Sequence, residues 1–418
     1  MQVPTGGIAH EPKGTNRWNS DADSKVWMEE ASLKKLWMPW IPGLFLFLRG
    51  FCMDGKEKYM ALALSLAERG RGWTSPNPMV GAVIVKDGRI IGEGWHEKYG
   101  EKHAERNALD SATESVEGAT MYVTLEPCSH YGKQPPCTDA IIEARLKKVV
   151  VGSGDPNPLV NGRGFEILKN HGIEVEYGVL EGECKALNKH FFHYITNKKP
   201  YVSLKYAMTV DGKSATEEGV SKWITGEEAR RDAHFLRHSH MAIMVGINTV
   251  RLDDPVLTCH DPALRDPVRI VVDSNLDIPL SSKLVESARE VPLLIATVSN
   301  DEEKRGKLES SGCKVLSIPS SGGKVDVVRL TGEIGKMGID SILVEGGGTL
   351  SWSFVENGLV DHVYAYIAPT LLGGRNALTP LMGKGFPSPD DGLFLENTSI
   401  KALGRDYLLE GDVKCSQG

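Results

Sequence analysis

The sequence predicts an α/β protein made of two consecutive domains. Short segments rich in Val and Ile alternate with amphipathic helical segments, as expected for central sheets that are covered by helices. The polar run Thr196-Asn197-Lys198-Lys199-Pro200 separates two such series, and its proline disfavours a continuing helix. With 418 residues and 45.7 kDa, the chain has the length of two or three domains of roughly 100–200 residues each. We expect the domains at residues 54–198 and 199–418.

Residues 1–53 lack the pattern of a folded domain. The apolar run Leu36–Leu48 contains Pro39 and Pro42 and is shorter than the ~20 residues that a membrane-spanning helix needs. Several acidic residues in the segment are unlike an organellar transit peptide. We expect an extension outside the fold, disordered or the result of a start codon placed too far upstream. In the latter case Met53 would be a natural beginning.

The first domain is predicted to be a three-layer α/β unit with a central mixed sheet. Its helices are expected at 54–70, 103–111, Thr138–Ala144, Gly164–Asn170 and Glu181–Tyr194. Its strands are expected at Val80–Val85, Ile90–Gly94, Met121–Leu125, Lys148–Val151 and Ile173–Tyr177. Asp87-Gly88 is typical of the tight turn of a β-hairpin, so it joins the first two strands.

The second domain is again predicted to be α/β, with a helix at Glu227–His238. Its strands are rich in Val and Ile, which favours a sheet buried on both faces. They are expected at Tyr201–Tyr206, Ala242–Val245, Arg269–Val272, Pro292–Ala296, Lys314–Ser317, Ser341–Val344 and His362–Ala368.

Composition limits the partners and the compartment. The formal net charge is −7 and the pI is about 6.0, which argues against a protein that wraps nucleic acid. Small anionic substrates remain possible, because a local group of Arg and Lys can hold a phosphate. Seven scattered cysteines are too few for a disulfide scaffold and indicate a reducing cytoplasm. We expect a cytoplasmic homo-oligomer with no nucleic-acid or membrane partner.

His103, Cys128 and Cys137 have the residue types of a catalytic zinc site, and Glu105 follows the histidine closely. Three such ligands leave one coordination position open for water, and a carboxylate that is not a ligand can move protons. His-x-Glu followed by Pro-Cys-x-x-Cys is the pattern of zinc deaminases, but here eight residues separate the cysteines. The predicted chemistry is hydrolytic loss of ammonia from an amidine-type ring carbon. A structural zinc, or no zinc, is the alternative interpretation, although the sequence offers no obvious fourth ligand.

Polar loop residues flank this predicted centre. Asn77 lies between two prolines, and a fixed amide can pair with the edge of a pyrimidine ring. Each of the others could equally be a solvated loop residue. The set is Asn77, His96, His130, Lys133, Asp155 and Asn157.

In the second domain, Glu345-Gly346-Gly347-Gly348-Thr349 lies between a predicted strand and a helix. Backbone N–H groups at a helix start can hold a phosphate, and glycines allow its close approach. The loop departs from the Gly-x-Gly-x-x-Gly spacing, so alone it is weak evidence. Ser221 and Trp223 offer a hydroxyl and an aromatic plane, although a core aromatic is the alternative for Trp223.

Long motifs extend these local signals. They are PNPMVGAVIV, GEGWHEKYGEKHAERNAL, YVTLEPCSHYGKQPPCTDAII and GDPNPLVNGRGFEIL in the first half, with SLKYAMTVDGK, SKWITGEEAR, VGINTVRLDDPVLT and ILVEGGGTLSWSFVENGLVDHVY in the second. Over residues 54–413 the chain resembles the bifunctional riboflavin-biosynthesis deaminase/reductase family, in which the two-cysteine loop also spans eight residues. The resemblance implies a cytidine-deaminase-like domain followed by a dihydrofolate-reductase-like domain, with Zn²⁺ and NADPH as cofactors.

The resemblance also implies the substrates. The first domain would deaminate 2,5-diamino-6-ribosylamino-4(3H)-pyrimidinone 5′-phosphate, and the second would reduce the ribosyl group of the product, 5-amino-6-(5-phosphoribosylamino)uracil, to ribityl. His103, Cys128 and Cys137 match the zinc ligands, and Glu105 matches the proton carrier. Asn77, His96, His130, Lys133, Asp155 and Asn157 match contacts to the pyrimidine or its ribose phosphate.

Residues of the second domain are carried over by the same motifs. The residues that resemble NADPH contacts are Ala207, Trp223, Thr249, Asp253, Ser274, Gly347, Gly348, Thr349, Leu350, Ser351, Trp352 and Ser353. Those that resemble substrate contacts are Ser221, Arg237, Leu257 and Glu345, and the guanidinium of Arg237 would suit a phosphate. The family usually has Arg where this chain has His260, so we expect weaker phosphate binding unless Arg265 substitutes.

Two rival functions remain at this stage. A nucleic-acid base deaminase shares His-x-Glu and Pro-Cys, but it usually has two residues between its cysteines and needs a basic groove. A zinc-stabilised binding protein would have no use for Glu105. Glu105→Gln discriminates among these interpretations, because it should abolish deamination while zinc stays bound.

Overall fold

The computed structural model describes residues 55–157 and 162–414, so the predicted extension at 1–53 lies outside the described residues. These residues form two α/β units, each built on its own sheet. Among them, no helix combines the length and the apolar character that crossing a membrane requires. The predicted α/β class is confirmed.

The first unit contains a five-stranded mixed sheet in the order β2-β1-β3-β4-β5. Its strands are β1 (Gly81–Lys86), β2 (Arg89–Trp95), β3 (Thr120–Leu125), β4 (Lys148–Ser153) and β5 (Glu174–Tyr177). Its helices are α1 (Lys56–Ala67), α2 (Ala104–Asp110), α3 (Cys137–Glu143), α4 (Arg163–Asn170), α5 (Glu181–Leu187) and α6 (Lys189–Asn197). The polar helix predicted at 181–194 is two helices, because Asn188 interrupts it.

Hydrophobic packing covers both faces of this sheet. On one face, Met60 and Leu64 of α1 pack with Val83 and Val150. On the other face, Ile84, Met121 and Val149 pack with side chains of α2 and α3. The β1–β2 hairpin turns at Asp87 and Gly88, whose φ angles of 49° and 74° give the tight turn that the sequence predicts. The predicted three-layer arrangement follows from these two apolar faces.

The second unit contains a nine-stranded sheet in the order β10-β9-β8-β7-β13-β6-β14-β16-β15. Its strands are β6 (Tyr201–Thr209), β7 (Ala242–Gly246), β8 (Val268–Val272), β9 (Leu293–Thr297), β10 (Lys314–Ser317), β13 (Ser341–Val344), β14 (His362–Ala368), β15 (Leu395–Leu403) and β16 (Asp406–Val413). A separate hairpin pairs β11 (Ser320–Ser321) with β12 (Lys324–Val325). The helices are α7 (Glu227–Ser239), α8 (Ile247–Asp253), α9 (Lys283–Glu286), α10 (Glu302–Ser310), α11 (Val327–Lys336) and α12 (Gly348–Glu356).

The chain passes from the first unit to the second through a short link. Helix α6 ends at Asn197, and β6 begins at Tyr201 between β13 and β14. Across the junction, the Tyr194 hydroxyl donates a hydrogen bond to the Gly335 carbonyl at 3.0 Å. The Nζ of Lys189 lies 3.8 Å from the Asp412 carboxylate in β16. The link at 198–200 coincides with the polar run that the sequence marks as a boundary.

Candidate active sites

The three predicted zinc ligands meet at the ends of three elements. His103 precedes α2, Cys137 is the first residue of α3, and Cys128 lies in the loop that follows β3. The Nδ1 of His103 is 3.5 Å from the Sγ of Cys128 and 3.4 Å from the Sγ of Cys137. All three donor atoms lie within 4.8 Å of one another. One imidazole and two sulfur donors at this separation fit a zinc ion and leave a coordination position for a ligand.

The ionisation of the two cysteines also suits metal binding. A hydrogen bond between the two thiols lowers the pKa of Cys128 to about 4, with help from His103. The same hydrogen bond, together with burial, raises the pKa of Cys137. The hydrogen bond to Cys128 raises the pKa of His103. Because thiolate is the ligand form, a thiolate at Cys128 prepares this group of donors for a cation.

Glu105 lies in the first turn of α2, with a side chain that is only 3 % exposed. Burial raises the pKa of its carboxyl group, and the negative charge of Cys128 adds to this effect. A carboxyl group buried in this way holds a proton more readily than an exposed one, which suits a group that carries protons. Its position beside the three donors is what the sequence predicts for the proton carrier.

A cavity of about 230 Å³ opens beside these donors. It brings together all six polar loop residues that the sequence singles out, along with His103, Glu105 and Cys128. Those six are Asn77, His96, His130, Lys133, Asp155 and Asn157.

Hydrogen bonds fix Asn77 and His96 relative to each other. The Nδ1 of His96 lies 3.0 Å from the Lys102 carbonyl, and its Nε2 lies 3.4 Å from the Nδ2 of Asn77. If Nδ1 carries the proton and donates to the carbonyl, Nε2 accepts from the Asn77 amide. Burial lowers the pKa of His96, which favours this neutral ring. The amide of Asn77 is therefore held in one orientation at the wall of the cavity.

The long cysteine loop contributes two basic side chains. The Nδ1 of His130 is buried without a hydrogen-bond partner among residues 55–157 and 162–414, so it is a polar atom that a ligand could satisfy. The ammonium group of Lys133 lies 3.9 Å from the centre of the Tyr99 ring. This loop exists because the cysteines are eight residues apart, which connects the unusual spacing to the cavity.

Glu126 supports the site, although the sequence analysis missed it. Its buried carboxylate accepts hydrogen bonds from the backbone N–H groups of Asp155, Gly162 and Gly164. The sequence signal that could have identified Glu126 is its position between a predicted buried strand and Pro127-Cys128. Burial raises the pKa of Asp155 to about 6, and its carboxylate accepts from the Asn157 N–H at 2.8 Å. Glu126 thus fixes the loop that brings Asp155 to the cavity.

In the second unit, the glycine-rich turn leads from β13 into α12. Gly347 precedes the helix, and a Cβ on Gly348 would lie 2.6 Å from the Thr379 carbonyl oxygen. The side chains of Leu350, Ser351 and Trp352 point into the protein interior. In this segment the backbone N–H groups at the helix start are therefore the groups suited to a phosphate of a cofactor.

The other predicted cofactor residues lie on several elements. Ala207 is in β6, and Thr249 and Asp253 are in α8. The hydroxyl of Ser274, just beyond β8, accepts a hydrogen bond from the Val325 N–H at 3.1 Å. Trp223 is 69 % exposed, and the guanidinium of Arg230 lies 4.4 Å from its ring centre. The alternative of a core aromatic at Trp223 is therefore wrong.

Arg237 and Glu345 form a largely buried ion pair, with side chains that are 12 % and 9 % exposed. The Nε and Nη2 of Arg237 donate to the two carboxylate oxygens of Glu345 at 2.9 and 3.0 Å. Its Nη1 donates to the Thr258 carbonyl at 2.8 Å. Burial favours the neutral acid, but Arg237 and Lys205 outweigh burial and lower the pKa of Glu345 to about 2. The guanidinium predicted to hold a phosphate is occupied by a carboxylate in this structure.

The surroundings of His260 show whether another arginine takes the place of the one that the family usually has at this position. His260 is exposed, and its ring centre lies 4.7 Å from that of His234. Burial and nearby Arg237 lower the pKa of His234 to about 4, so that ring is neutral at pH 7. The alternative that Arg265 substitutes for the missing arginine does not hold. Its Nη1 instead donates to the Gly72 carbonyl of the first unit at 2.9 Å.

Comparisons with known proteins cover both units. Residues 53–153 match the cytidine and deoxycytidylate deaminase zinc-binding region, and residues 200–409 match the RibD C-terminal domain. The riboflavin biosynthesis protein RibD of Actinobacillus pleuropneumoniae is 51% identical over 352 residues, which cover 84% of this chain and 94% of that protein.

Solved structures agree with these matches. A RibD structure from Acinetobacter baumannii has a TM-score of 0.77 and 39% identity, covering 86% of this chain and 98% of that one. A diaminohydroxyphosphoribosylaminopyrimidine deaminase/5-amino-6-(5-phosphoribosylamino)uracil reductase from Thermotoga maritima has a TM-score of 0.75 and 38% identity, with the same coverage. The predicted pairing of a deaminase-like with a reductase-like domain is confirmed.

Proposed function

Because the chain belongs to the RibD family of riboflavin-biosynthesis deaminase/reductases, we propose that its two sites catalyse consecutive steps on one phosphorylated pyrimidine. The chain is a bifunctional enzyme with a zinc-dependent deaminase and a reductase that uses NADPH. We assign residues 54–198 to the deaminase and 199–418 to the reductase. The first substrate is 2,5-diamino-6-ribosylamino-4(3H)-pyrimidinone 5′-phosphate, and the second is the 5-amino-6-(5-phosphoribosylamino)uracil that the deaminase forms.

In the deaminase, His103, Cys128 and Cys137 hold the zinc ion. Bound zinc supplies a Lewis acid that makes water a nucleophile at neutral pH. Glu105 takes a proton from the attacking water and delivers it to the amino group that leaves as ammonia. Its burial supports this role, because burial raises the pKa of the carboxyl group and so favours the uptake of a proton from water.

The cavity walls hold the substrate. Asn77 directs its amide N–H to His96, so its amide oxygen accepts from the N–H edge of the pyrimidine. His130 satisfies its buried Nδ1 with a polar group of the substrate. Lys133 binds the phosphate by charge, and Asp155 and Asn157 accept from and donate to the ribose hydroxyls. These six contacts suit a free phosphorylated pyrimidine, and no nucleic acid takes part.

In the reductase, the backbone at Gly347–Thr349 would hold a phosphate of NADPH, and Trp223 and Ser274 are further predicted contacts to it. Bound NADPH would supply the hydride, and solvent the proton, for reduction of the ribosyl group to ribityl. Ser221, Arg237, Leu257 and Glu345 surround the second substrate. The Arg237–Glu345 pair keeps this region rigid, since hydride transfer depends on the orientation of the two reactants.

The enzyme works in the cytoplasm as a homo-oligomer. The scattered cysteines, too few for a disulfide scaffold, support the cytoplasmic part of this assignment. Riboflavin biosynthesis uses small phosphorylated intermediates and NADPH, which are cytoplasmic compounds.

The observation that carries the function is that His103, Cys128, a buried carboxylate and six predicted substrate residues line one cavity, with the third zinc donor, Cys137, within 4.8 Å of the other two. The test supplies the diaminopyrimidine phosphate and NADPH to the purified chain, and measures zinc content, ammonia release and NADPH oxidation. We expect one zinc per chain, and NADPH oxidation only after ammonia release. NADPH oxidation without ammonia, or ammonia release from a zinc-free chain, would contradict the proposal.

A further inference from the structure

The loop that carries Asn77 touches both units of the protein. On one side, Asn77 forms part of the wall of the zinc-site cavity. On the other side, residues 71–75 contact the reductase. The Nη1 of Arg265 donates to the Gly72 carbonyl at 2.9 Å, and Ser75 lies close enough to the buried carboxyl group of Asp340 to offset part of the rise in its pKa that burial causes. The reductase thus binds this loop two and five residues before Asn77.

The approach at Gly72 is close enough to exclude a side chain. Gly72 has a φ of 74°, and a Cβ at this position would lie 2.4 Å from the Cε1 of His238. The ring of Trp73 also meets the His238 ring edge-on, with centres 5.8 Å apart. The backbone N–H of Arg265 donates to the Nδ1 of His238 at 2.9 Å. His238 and Arg265 therefore form one rigid surface against which the loop rests.

Backbone hydrogen bonds within the first unit also hold the loop, among them Tyr99 N–H to the Trp73 carbonyl at 3.0 Å and Asn77 N–H to the Thr74 carbonyl at 2.9 Å. A cavity of about 220 Å³ lies between the two units, and Ser75, Asn77 and Met79 form part of its wall. A cavity leaves its lining without packing on that side, so the loop depends on its hydrogen bonds for its position. From the deaminase side, Asn188 supplies two of them, because its amide bonds to both the N–H and the carbonyl of Met79 at 2.8 Å.

We propose that Arg265 of the reductase is a positioning residue for the deaminase. By holding the Gly72 carbonyl, Arg265 keeps Asn77 in the orientation that binds the pyrimidine. This inference rests on the proposed function, in which Asn77 contacts the substrate. The reductase then influences how tightly the deaminase binds its substrate. Among the described residues, none of the reductase lines the zinc-site cavity.

The test compares full-length variants in two separate assays. Arg265→Ala removes the bond to Gly72, and Arg265→Lys keeps one donor that can reach the same carbonyl. Ser75→Ala removes the second contact between the units through a change in the deaminase. We expect Arg265→Ala and Ser75→Ala to raise the deaminase KM roughly threefold to tenfold, which corresponds to the loss of one hydrogen bond. The deaminase kcat and the zinc content should not change, and Arg265→Lys should restore most of the affinity.

Arg289→Ala is the matched control, since Arg289 also donates to a backbone carbonyl of the reductase, that of Ser310, within its own unit. Its deaminase KM should equal that of the parent chain. Reductase kinetics, measured with the deaminated uracil supplied directly, should be the same in all variants. A general loss of zinc or of reductase activity in Arg265→Ala would indicate a structural role and overturn the inference.

Asn77→Ala distinguishes a failure of the positioning role of Arg265 from a failure of the substrate contact of Asn77. If Asn77→Ala raises the deaminase KM and neither Arg265→Ala nor Ser75→Ala does, the positioning role is wrong while the substrate contact stands. If Asn77→Ala leaves KM unchanged, the substrate contact is wrong and the positioning role fails with it. A raised KM in all three variants supports both.

Discussion

The deaminase and reductase sites differ in which groups would perform the chemistry. In the deaminase, the side chains proposed to bind metal or move protons lie in or beside one cavity, and the donor atoms of His103, Cys128 and Cys137 are within 4.8 Å of one another. In the reductase, the central charged groups Arg237 and Glu345 bind each other, and the group suited to a cofactor phosphate is the backbone at the start of α12. The first site therefore depends on individual reactive groups. The second depends on the shape and rigidity that orient a cofactor which brings its own reactivity.

Removing a zinc ligand should produce the largest difference between the deaminase and reductase activities. Cys137→Ala deletes a buried sulfur donor, so we expect the loss of bound zinc and of measurable deaminase activity. Reductase activity on supplied uracil substrate should remain. Cys184→Ala is the matched control, because Cys184 is another buried cysteine of the first unit and lies in the apolar core. A Cys137→Ala chain that retains one zinc would contradict the assigned ligand set.

The next largest effect is expected from the proton carrier. Glu105→Gln keeps the size of the side chain but cannot exchange a proton, so the deaminase kcat should fall about 10³-fold. Zinc content and reductase kinetics should be unchanged, and both are measured on the same preparation. Deamination at the parental rate would remove Glu105 from the mechanism and weaken the contrast between the two sites.

The reductase should respond to the loss of its ion pair mainly in stability. Glu345→Gln leaves Arg237 and Lys205 without their shared carboxylate, and we expect the free energy of unfolding to drop by about 3 kcal/mol at pH 7. The folded-state pKa of Glu345 is about 2, below its usual value. The stabilisation is therefore complete above the unfolded pKa of about 4.5 and is lost as pH falls towards 2.

Urea unfolding followed on the reductase, at pH 7 and at pH 3.5, measures this difference. The parent and Glu345→Gln chains should differ less at the lower pH. Glu396→Gln removes an exposed carboxylate that pairs with Lys414, and should change stability by less than about 0.5 kcal/mol. A pH-independent difference between parent and Glu345→Gln would show that packing, rather than charge, is what the substitution removes.

The smallest effect is expected at His260. His260→Arg places a permanent cation next to the neutral His234, so the reductase KM for its phosphorylated substrate should fall by a factor of about three to ten. The deaminase KM of the same chain serves as the internal control. An unchanged reductase KM would mean that position 260 does not meet the phosphate.

Sequence reasoning succeeded where chemistry and local pattern coincide. The strands β10, β13 and β14 match their predicted limits, and the structure places the three predicted zinc donors within 4.8 Å of one another, beside the cavity that the six polar loop residues line, while the roles of these residues stay predictions. It failed where a residue acts through distant neighbours. The partners of Arg237 and Arg265 are Glu345 and Gly72, which are far away in the chain, so no local spacing reveals them. Helices α8, α9, α10 and α11, the edge strand β15 and its neighbour β16 were also missed.

The position of β6 has a consequence for the order in which the two units fold during synthesis. Tyr201 pairs with Ser341 in β13, and Ser203 pairs with His362 in β14, so this central strand waits for partners that are synthesised much later. Every strand of the first sheet, in contrast, has left the ribosome before β6 does. Contacts between distant segments form slowly, and domains generally fold as units from the N-terminal end. A nascent chain would thus complete its zinc site first, and the support that Arg265 gives the Asn77 loop would come last.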